Sequence, residues 1–289
     1  MSAEVECVWP VAAVLGEGPV WSAVDCRLWF VDIKGNRIHC YDETTRGTRS
    51  FETPEFSAFV FRDRRGGMLC GLRSGLYRFD PSGARFEPVV KVEEDLPGNR
   101  LNDGCVDAQG RLWFGTMDNA HEQPTGSLYR FAHGSLERMD PGYVITNGPA
   151  LSPDGRVLYH VDTFNRRVHA FDVDPQGGLS GKREFLALSE PDVYPDGPVV
   201  DSQGNVWIAM WGGWGVRCYS PRGDLLRSIR LPVSQCTKAA FGGADLRTLY
   251  ITTASIGLSD EQRAAQPLAG ALFRVRVDVP GLPANEFAG

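Results

Sequence analysis

The 289-residue chain lacks the features that mark membrane and secreted proteins. No run approaches the ~20 apolar residues that a membrane-spanning helix needs. The first ten residues include acidic side chains and have no apolar stretch typical of a secretion signal. No Asn is followed by the x-Ser/Thr of a glycosylation site. We therefore expect a cytoplasmic protein that does not bind membranes.

Charge of one sign is also scarce. The chain carries 30 basic and 36 acidic residues, a net charge of −6, without a long block of like charge. The densest basic spot, residues 62–65, is typical of a solvated turn rather than of a nucleic-acid patch. A mildly acidic surface disfavours nucleic acid and anionic membranes as partners.

Several catalytic and metal-binding motifs are missing. The seven cysteines are odd in number and contain no C-x-x-C pair, which indicates reduced, mostly buried thiols. H-E-x-x-H is absent and the five histidines are scattered, so the sequence shows no zinc-helix motif. G-x-S-x-G is absent as well, which disfavours a serine hydrolase.

Helical periodicity is almost absent, and short alternating runs between turn signals predict an all-β protein. One strand with a Leu-Trp-like pair recurs six times, as CRLWFVD, GGMLCGL, GRLWFGT, GRVLYHVD, GNVWIAM and RTLYITT. The copies are 40, 44, 45, 49 and 43 residues apart. This period matches one four-stranded propeller blade per copy, whereas a β-sandwich would not require it. The sequence predicts a six-bladed β-propeller.

The flanking segments complete this picture. A second strand follows each copy, and a third leaves the next turn. The N-terminal run VECVWPVAAV has no blade before it, so we expect its strand to close the ring by completing the last blade. Since no linker separates the copies, residues 1–289 are predicted to form a single domain.

Another element precedes each Leu-Trp-like strand and would line the central channel. Its copies begin at residues 15, 56, 100, 145, 194 and 236. Counting back 10–12 residues from the strand landmarks reaches Glu17, Ala58, Asp103, Asn147, Asp196 and Ala239. Gly-Pro follows three of the four polar residues, and such a pair bends a strand and limits its ladder bonding.

Equivalent positions in a propeller converge on its axis, so these polar residues should crowd together. Like charges a few ångströms apart need a compensating cation or basic group. Oxygen ligands favour a hard divalent ion, and three of them would leave positions open for water or substrate. The alternative is a water-filled channel with turn-capping Asp residues.

The same residues carry a family resemblance. LGEGPVW, NRLNDG, TNGPALS, YPDGPVVDSQGNVWIA and PLAGALF resemble the senescence marker protein/gluconolactonase family, which includes regucalcin and bacterial sugar lactonases. The similarity runs from about residue 11 to the C-terminus. It implies a monomeric six-bladed propeller with one divalent metal ion (calcium, zinc, manganese, magnesium or iron) that hydrolyses sugar lactones.

The resemblance also implies roles for individual residues. Glu17, Asn147 and Asp196 match the metal ligands, and Asp196 also matches the general base. Arg100 and Asn102 match positions that bind sugar hydroxyls, whereas Asp103 would lie beside the ion. Glu122, in the loop GTMDNAHEQPTG, is the nearest candidate for a further substrate-binding residue, although its offset differs from the family pattern.

These features predict metal-dependent opening of a pentono- or hexonolactone, such as xylono-, arabinono- or gluconolactone, to the aldonic acid. The attacking water would be activated by Asp196 or by the ion. The glycine-rich loop with Trp211 and Trp214 would either stack on a sugar or pack at the channel mouth. A calcium-binding regulatory propeller is one alternative. Another propeller lactonase or esterase is the second, although no inner-strand copy contains the His expected there.

Overall fold

The computed structural model describes residues 4–289 and consists of six four-stranded antiparallel sheets. Neighbouring innermost strands contact one another in a closed cycle, so the sheets form the blades of a ring. This confirms the predicted all-β, six-bladed propeller. The innermost strands are β2 (Gly16–Ser22), β6 (Ser57–Arg62), β10 (Asn99–Val106), β14 (Thr146–Leu151), β18 (Tyr194–Val200) and β22 (Cys236–Gly242).

In five blades the other three strands follow in chain order, and in the last blade the outer strand is the N-terminal one. The second strands, which contain the Leu-Trp-like pairs, are β3 (Arg27–Asp32), β7 (Met68–Leu72), β11 (Leu112–Asp118), β15 (Val157–Asp162), β19 (Val206–Trp211) and β23 (Thr248–Thr253). The third strands are β4 (Arg37–Asp42), β8 (Gly75–Asp80), β12 (Gly126–Ala132), β16 (Arg167–Val173), β20 (Gly215–Tyr219) and β24 (Leu272–Arg276). The outer strands are β5 (Thr48–Glu52), β9 (Arg85–Lys91), β13 (Ser135–Tyr143), β17 (Leu179–Ala187), β21 (Leu225–Arg230) and β1 (Val5–Trp9).

The N-terminal strand closes the ring as predicted. β1 pairs antiparallel with β24 and becomes the outer strand of the last blade. Packing between the first and last blades adds to this closure, because Trp21 stacks on Tyr250 with ring centroids 5.8 Å apart. Closure covers the edge that β24 would otherwise expose to another chain.

Two tryptophans of the repeat have a structural role that includes a hydrogen bond. Trp113 and Trp207 are buried between blades, and their indole N–H groups donate to Asp107 (2.8 Å) and Asp201 (3.0 Å). Both aspartates also accept backbone N–H groups of the turn between the first two strands. The turn and the core are thereby fixed together, which satisfies the polar end of each ring.

Every inner strand contains an irregularity in its pairing with the second strand. The register shifts occur between Glu17 and Val20, Ser57 and Phe59, Leu101 and Gly104, Asn147 and Ala150, Pro195 and Pro198, and Cys236 and Lys238. A bulge frees residues from the ladder and redirects their side chains. The inner strands can therefore point consecutive side chains into the channel.

One short helix, α1 (Asp260–Ala265), interrupts the long connection between β23 and β24 and begins at a capping box on Ser259. No helix in residues 4–289 is both long and apolar enough to cross a membrane. All seven cysteines are free thiols, and four of them are buried.

Candidate active site

The inner strands place one residue per blade in a ring around the channel. In each blade, the second residue of the Leu-Trp-like pair is paired with a residue of the inner strand, and the ring residue lies three positions before that partner. Val20 pairs with Trp29, which identifies Glu17, and Val199 pairs with Trp207, which identifies Asp196. The ring consists of Glu17, Ala58, Asn102, Asn147, Asp196 and Thr237. We call this the site ring.

The site ring corrects the repeat alignment at two positions. Asn102, rather than Asp103, is the equivalent of Glu17, and Thr237 replaces Ala239. The turns between the first two strands differ in length among blades. Counting back from a landmark in the second strand therefore does not always reach the equivalent position of the inner strand. Glu17, Asn147 and Asp196 do share one phase, as predicted.

A second ring lies one residue further along the same strands. It consists of Gly18, Phe59, Asp103, Gly148, Gly197 and Lys238. Three of its members are glycines, which leave space on the axis. At Gly197 a Cβ atom would lie 2.5 Å from the Cγ atom of Lys238, so the lysine chain occupies the space that this glycine leaves.

Lys238 and Asp103 form a buried ion pair in that second ring. The Lys238 ammonium donates to Asp103 Oδ1 (2.5 Å) and to the carbonyl of Gly104 (3.1 Å). Asp103 Oδ2 accepts the backbone N–H of Gly148 (2.8 Å). Burial lowers the pKa of Lys238, but the carboxylates of Asp103 and Glu17 outweigh it and leave that pKa above its usual value. Asp103 is thus neutralised within the protein, so it lies beside a candidate metal site rather than in it.

A cavity of about 1140 Å³ lies beyond this ion pair, at the end of the channel opposite the site ring. Lys238 and Gly104 lie on the wall of that cavity, together with the C-terminal residues 282–285. None of Glu17, Asn102, Asn147 and Asp196 lines it. The predicted chemical groups therefore face the opposite end, which we call the mouth.

Hydrogen bonds fix the orientation of Asn147. Its amide nitrogen donates to Thr163 Oγ1 (2.9 Å), which itself donates to the carbonyl of Pro195 (2.8 Å). The amide oxygen of Asn147 accepts from Asn102 Nδ2 (3.0 Å). A carbonyl oxygen has two lone pairs, so Asn147 retains one for a further ligand.

Arg100 and Asn102 form a connected pair on β10. Arg100 donates to the side-chain oxygen of Asn102 (2.6 Å) and to the carbonyl of Leu101 (3.0 Å), whereas its buried Nε–H has no partner among residues 4–289. Burial lowers the pKa of Arg100 to about 10, against the opposing effect of Glu17 and Asp196. At neutral pH it remains a cation close to both carboxylates.

The two carboxylates of the site ring are buried and close enough to repel each other. Burial and the neighbouring charge of Asp103 raise the pKa of Glu17 to about 8, although the Gly18 N–H donates to its Oε2 (2.7 Å). Burial and the charges of Glu17 and Asp103 also hold the pKa of Asp196 well above its usual range. Asp196 Oδ1 is buried without a hydrogen-bond partner among the described residues.

These features fit a divalent cation. Two repelling carboxylates, an unpartnered carboxylate oxygen and a fixed amide oxygen form an oxygen-only donor set, which suits a hard ion. Within residues 4–289 no three or more His, Cys, Asp or Glu side chains group together as metal ligands. The set proposed by the sequence contains only two such residues, and its third member is the amide of Asn147.

The remaining predicted residues lie at the mouth. Glu122 is exposed in the loop between β11 and β12, where its backbone N–H donates to Asp118 (2.9 Å). Trp211 and Trp214 line a separate recess of about 350 Å³ beside β18. Trp214 also stacks under the guanidinium of Arg230, 5.6 Å from its ring centre.

Sequence reasoning missed two contributors. Lys238 is adjacent to Ala239, the residue that counting from the landmark reached. The sequence signal that could have identified Lys238 was the presence of a basic residue on a strand predicted to line the channel. Thr163, which orients Asn147, is on the loop after β15, and its contact depends on the fold alone. His160, in contrast, is packed edge-on against Tyr143 at 4.9 Å on a second strand, as expected for a core histidine.

Comparison with known proteins decides the family. The sequence profile described as the SMP-30/Gluconolactonase/LRE-like region matches residues 15–255. The chain belongs to this family. The 6-deoxy-6-sulfogluconolactonase of Pseudomonas putida is 37% identical over the whole of both chains. The L-arabinolactonase of Azospirillum brasilense is 35% identical over 95% of this chain and 92% of its own.

A solved structure of a family member agrees with the fold. Regucalcin from Agrobacterium tumefaciens, described as a calcium-binding protein, superimposes with a TM-score of 0.95 at 28% identity. The match covers 99% of this chain and 98% of the other. The resemblance inferred from the motifs is thus confirmed, as is membership of a family whose relatives include named sugar lactonases.

Proposed function

We propose that this chain hydrolyses a sugar lactone to the aldonic acid in carbohydrate oxidation, with one divalent ion held by Glu17, Asn147 and Asp196. The observation that carries this proposal is Asp196 Oδ1, a buried carboxylate oxygen without a partner. Such an oxygen is costly to bury unless a cation or substrate satisfies it. A pentono- or hexonolactone such as xylono-, arabinono- or gluconolactone suits the polar site ring.

The protein groups have separate tasks in this scheme. Asp196 takes a proton from a water molecule as the water oxygen bonds to the lactone carbonyl carbon. The ring ester C–O bond then breaks, and the proton passes to the departing ring oxygen, which becomes a hydroxyl group. The new carboxylic acid ionises and releases one proton to solvent. When bound, the ion would supply Lewis-acid polarisation of the carbonyl and lower the pKa of water.

Arg100 and Asn102 are proposed to bind the hydroxyl groups of the substrate. The free Nε–H of Arg100 is a donor without a partner, and the guanidinium is already fixed by its bond to Asn102. Preoriented donors lose little entropy when substrate binds. Glu122 is proposed to reach the substrate from the mouth, because its loop follows Asp118, which pairs with Asn99 at the start of β10.

A calcium-binding regulatory propeller without catalysis is the second candidate, favoured by the description of the Agrobacterium structure. Both candidates use the same ion site, so only turnover separates them. We further propose a cytoplasmic monomer whose partner is the lactone, without nucleic acid or membrane.

The test is acid release from a panel of pentono- and hexonolactones. The protein is first stripped with a chelator and then supplied with calcium, zinc, manganese, magnesium or iron(II). We expect loss of hydrolysis on stripping and recovery with at least one ion. Metal binding without acid release from any lactone would support the regulatory alternative and contradict the proposed hydrolysis.

A further inference from the structure

Four basic side chains gather at one side of the mouth, above the site ring. Lys34 lies between β3 and β4, Arg73 between β7 and β8, Arg100 on β10, and His121 between β11 and β12. We call Lys34, Arg73, Arg100 and His121 the basic rim. They come from three consecutive blades.

Direct contacts fix two members of the basic rim. The Lys34 ammonium donates to Asn119 Oδ1 (2.7 Å), so a loop of the first blade reaches across the second blade to the third. It also lies 4.3 Å from the ring centre of Phe56, which precedes β6. Arg73 donates to the carbonyl of Pro97 (2.9 Å), in the segment that leads into β10.

The charges that act on Lys34 are positive. Burial, followed by the charges of Arg100 and Arg73, lowers the pKa of Lys34 to about 8, and no carboxylate opposes this shift. The pKa of His121 is also lowered by burial and by the charges of Arg100 and Lys34, and only Asp118 acts to raise it. Such a concentration of like charge is unfavourable in the free protein and favours an anionic ligand.

Four carboxylates of the surrounding loops and strands are already engaged elsewhere. Asp32 accepts the backbone N–H groups of residues 14, 15 and 35. Asp118 accepts those of residues 120, 122 and 123. Glu55 accepts from Ser74 and Tyr77, and Glu93 from Asn99, Thr116 and Tyr129. None of these four carboxylates forms an ion pair with the basic rim in residues 4–289.

We propose that the basic rim binds an oxyanion substituent, a phosphate, sulfonate or carboxylate, on the polyol end of the lactone. This inference rests on the proposed lactone hydrolysis and specifies its substrate class as an acidic sugar lactone. Arg100 connects the two regions, because it belongs to the basic rim and is bonded to Asn102 of the site ring. A lactone with its carbonyl at Asp196 would extend its far end toward Lys34 and Arg73.

The experiment compares neutral with anionic lactones on the metal-loaded protein. D-Glucono-1,5-lactone is the neutral probe, its 6-phosphate ester carries a phosphate, and D-glucaro-1,4-lactone carries a carboxylate. We expect kcat/KM to be about tenfold higher for at least one anionic lactone, mainly through KM, as for a hydrogen bond between charged groups. A gain for one probe alone identifies the substituent, and a gain for both indicates recognition of charge.

Lys34→Met should lower this anionic-to-neutral ratio by about tenfold. Arg230→Met is the matched control, because it removes an exposed cation beside Trp214 without touching the basic rim. The ratio should be unchanged in that variant. Hydrolysis of all probes without any preference for charge would overturn the proposed anion binding by the basic rim and leave the proposed lactonase activity intact.

A binding measurement covers the case in which no lactone is hydrolysed. Calorimetry compares 6-phosphogluconate with gluconate, which differ by the second anionic group. Tighter binding of 6-phosphogluconate that is lost in Lys34→Met supports the anion site even though the proposed hydrolysis fails. Equal affinities in the unsubstituted protein would overturn the anion site as well.

Discussion

Lys238 is the residue whose role differs most from what its sequence context suggests. It lies on an inner strand of a blade without a predicted site residue, yet its ammonium reaches Asp103 in the third blade. The side chains of Lys238 and Asp103 are 8% and 1% exposed, so the pair is buried. Breaking a buried pair leaves one uncompensated charge, which costs more than the pair itself contributes.

Lys238→Met should therefore lower the free energy of unfolding by about 3–5 kcal/mol, measured by denaturant titration. Combining it with Asp103→Asn removes both charges and should recover part of that loss. Lys91→Met is the control, because its ion pair with Glu94 is exposed and should contribute less than about 1 kcal/mol. Equal stability of Lys238→Met and the unsubstituted protein would show that the pair is not stabilising.

At the residue scale, the sequence was sufficient to predict that Glu17, Asn147 and Asp196 occupy equivalent positions. Each is a polar residue before Gly-Pro, and their strands do bring them to one ring. The sequence was insufficient to choose between Asn102 and Asp103 for the equivalent position, because they are adjacent and both polar. Only the register of β10 with β11 shows which of them occupies the site ring.

At the scale of the strand, the bulges explain how one channel accommodates two different rings. In an unbroken strand, consecutive side chains point to opposite faces. The shifts in the inner strands allow Asn102 to bond to Asn147 while the neighbouring Asp103 bonds to Lys238. The Gly-Pro pairs predicted this bending, but they did not predict how far each register moves.

Gly197 tests the packing that these bulges create. Gly197→Ala adds a Cβ atom 2.5 Å from Lys238 Cγ, and the displaced lysine should destabilise the fold by about 1–3 kcal/mol, measured by denaturant unfolding. Gly98→Ala is the matched control, since its Cβ atom would approach no neighbour closer than 3.8 Å. Similar stability of the two variants would mean that Gly197 is not needed as space for Lys238.

At the scale of the whole molecule, internal repetition made the fold predictable. Six copies of one strand indicated six blades, and the unpaired N-terminal segment indicated how the ring closes. The same repetition explains why the site is central, because equivalent positions meet on the axis. Side-chain partners that cross the channel, such as Lys238 with Asp103, break the repeat and therefore leave no periodic signal.

The loops at the mouth were the least predictable part. Lys34 and Asn119 are far apart in the chain and belong to loops of different length, yet they are hydrogen-bonded across a blade. Loop contacts of this kind depend on the relative heights of neighbouring blades, which residue counts do not contain. They are also where a common scaffold can acquire different substrates.

The proposed hydrolysis depends most on Asp196, which would activate water for lactone opening within a metal site shared with Glu17 and Asn147. The most direct measurement is lactone turnover by Asp196→Ala, with its metal content determined in the same sample. We expect a loss of at least about 100-fold, whereas Asp192→Asn, which alters an exposed carboxylate at the mouth, should retain activity. Near-normal turnover by Asp196→Ala with metal still bound would contradict the proposed role of Asp196.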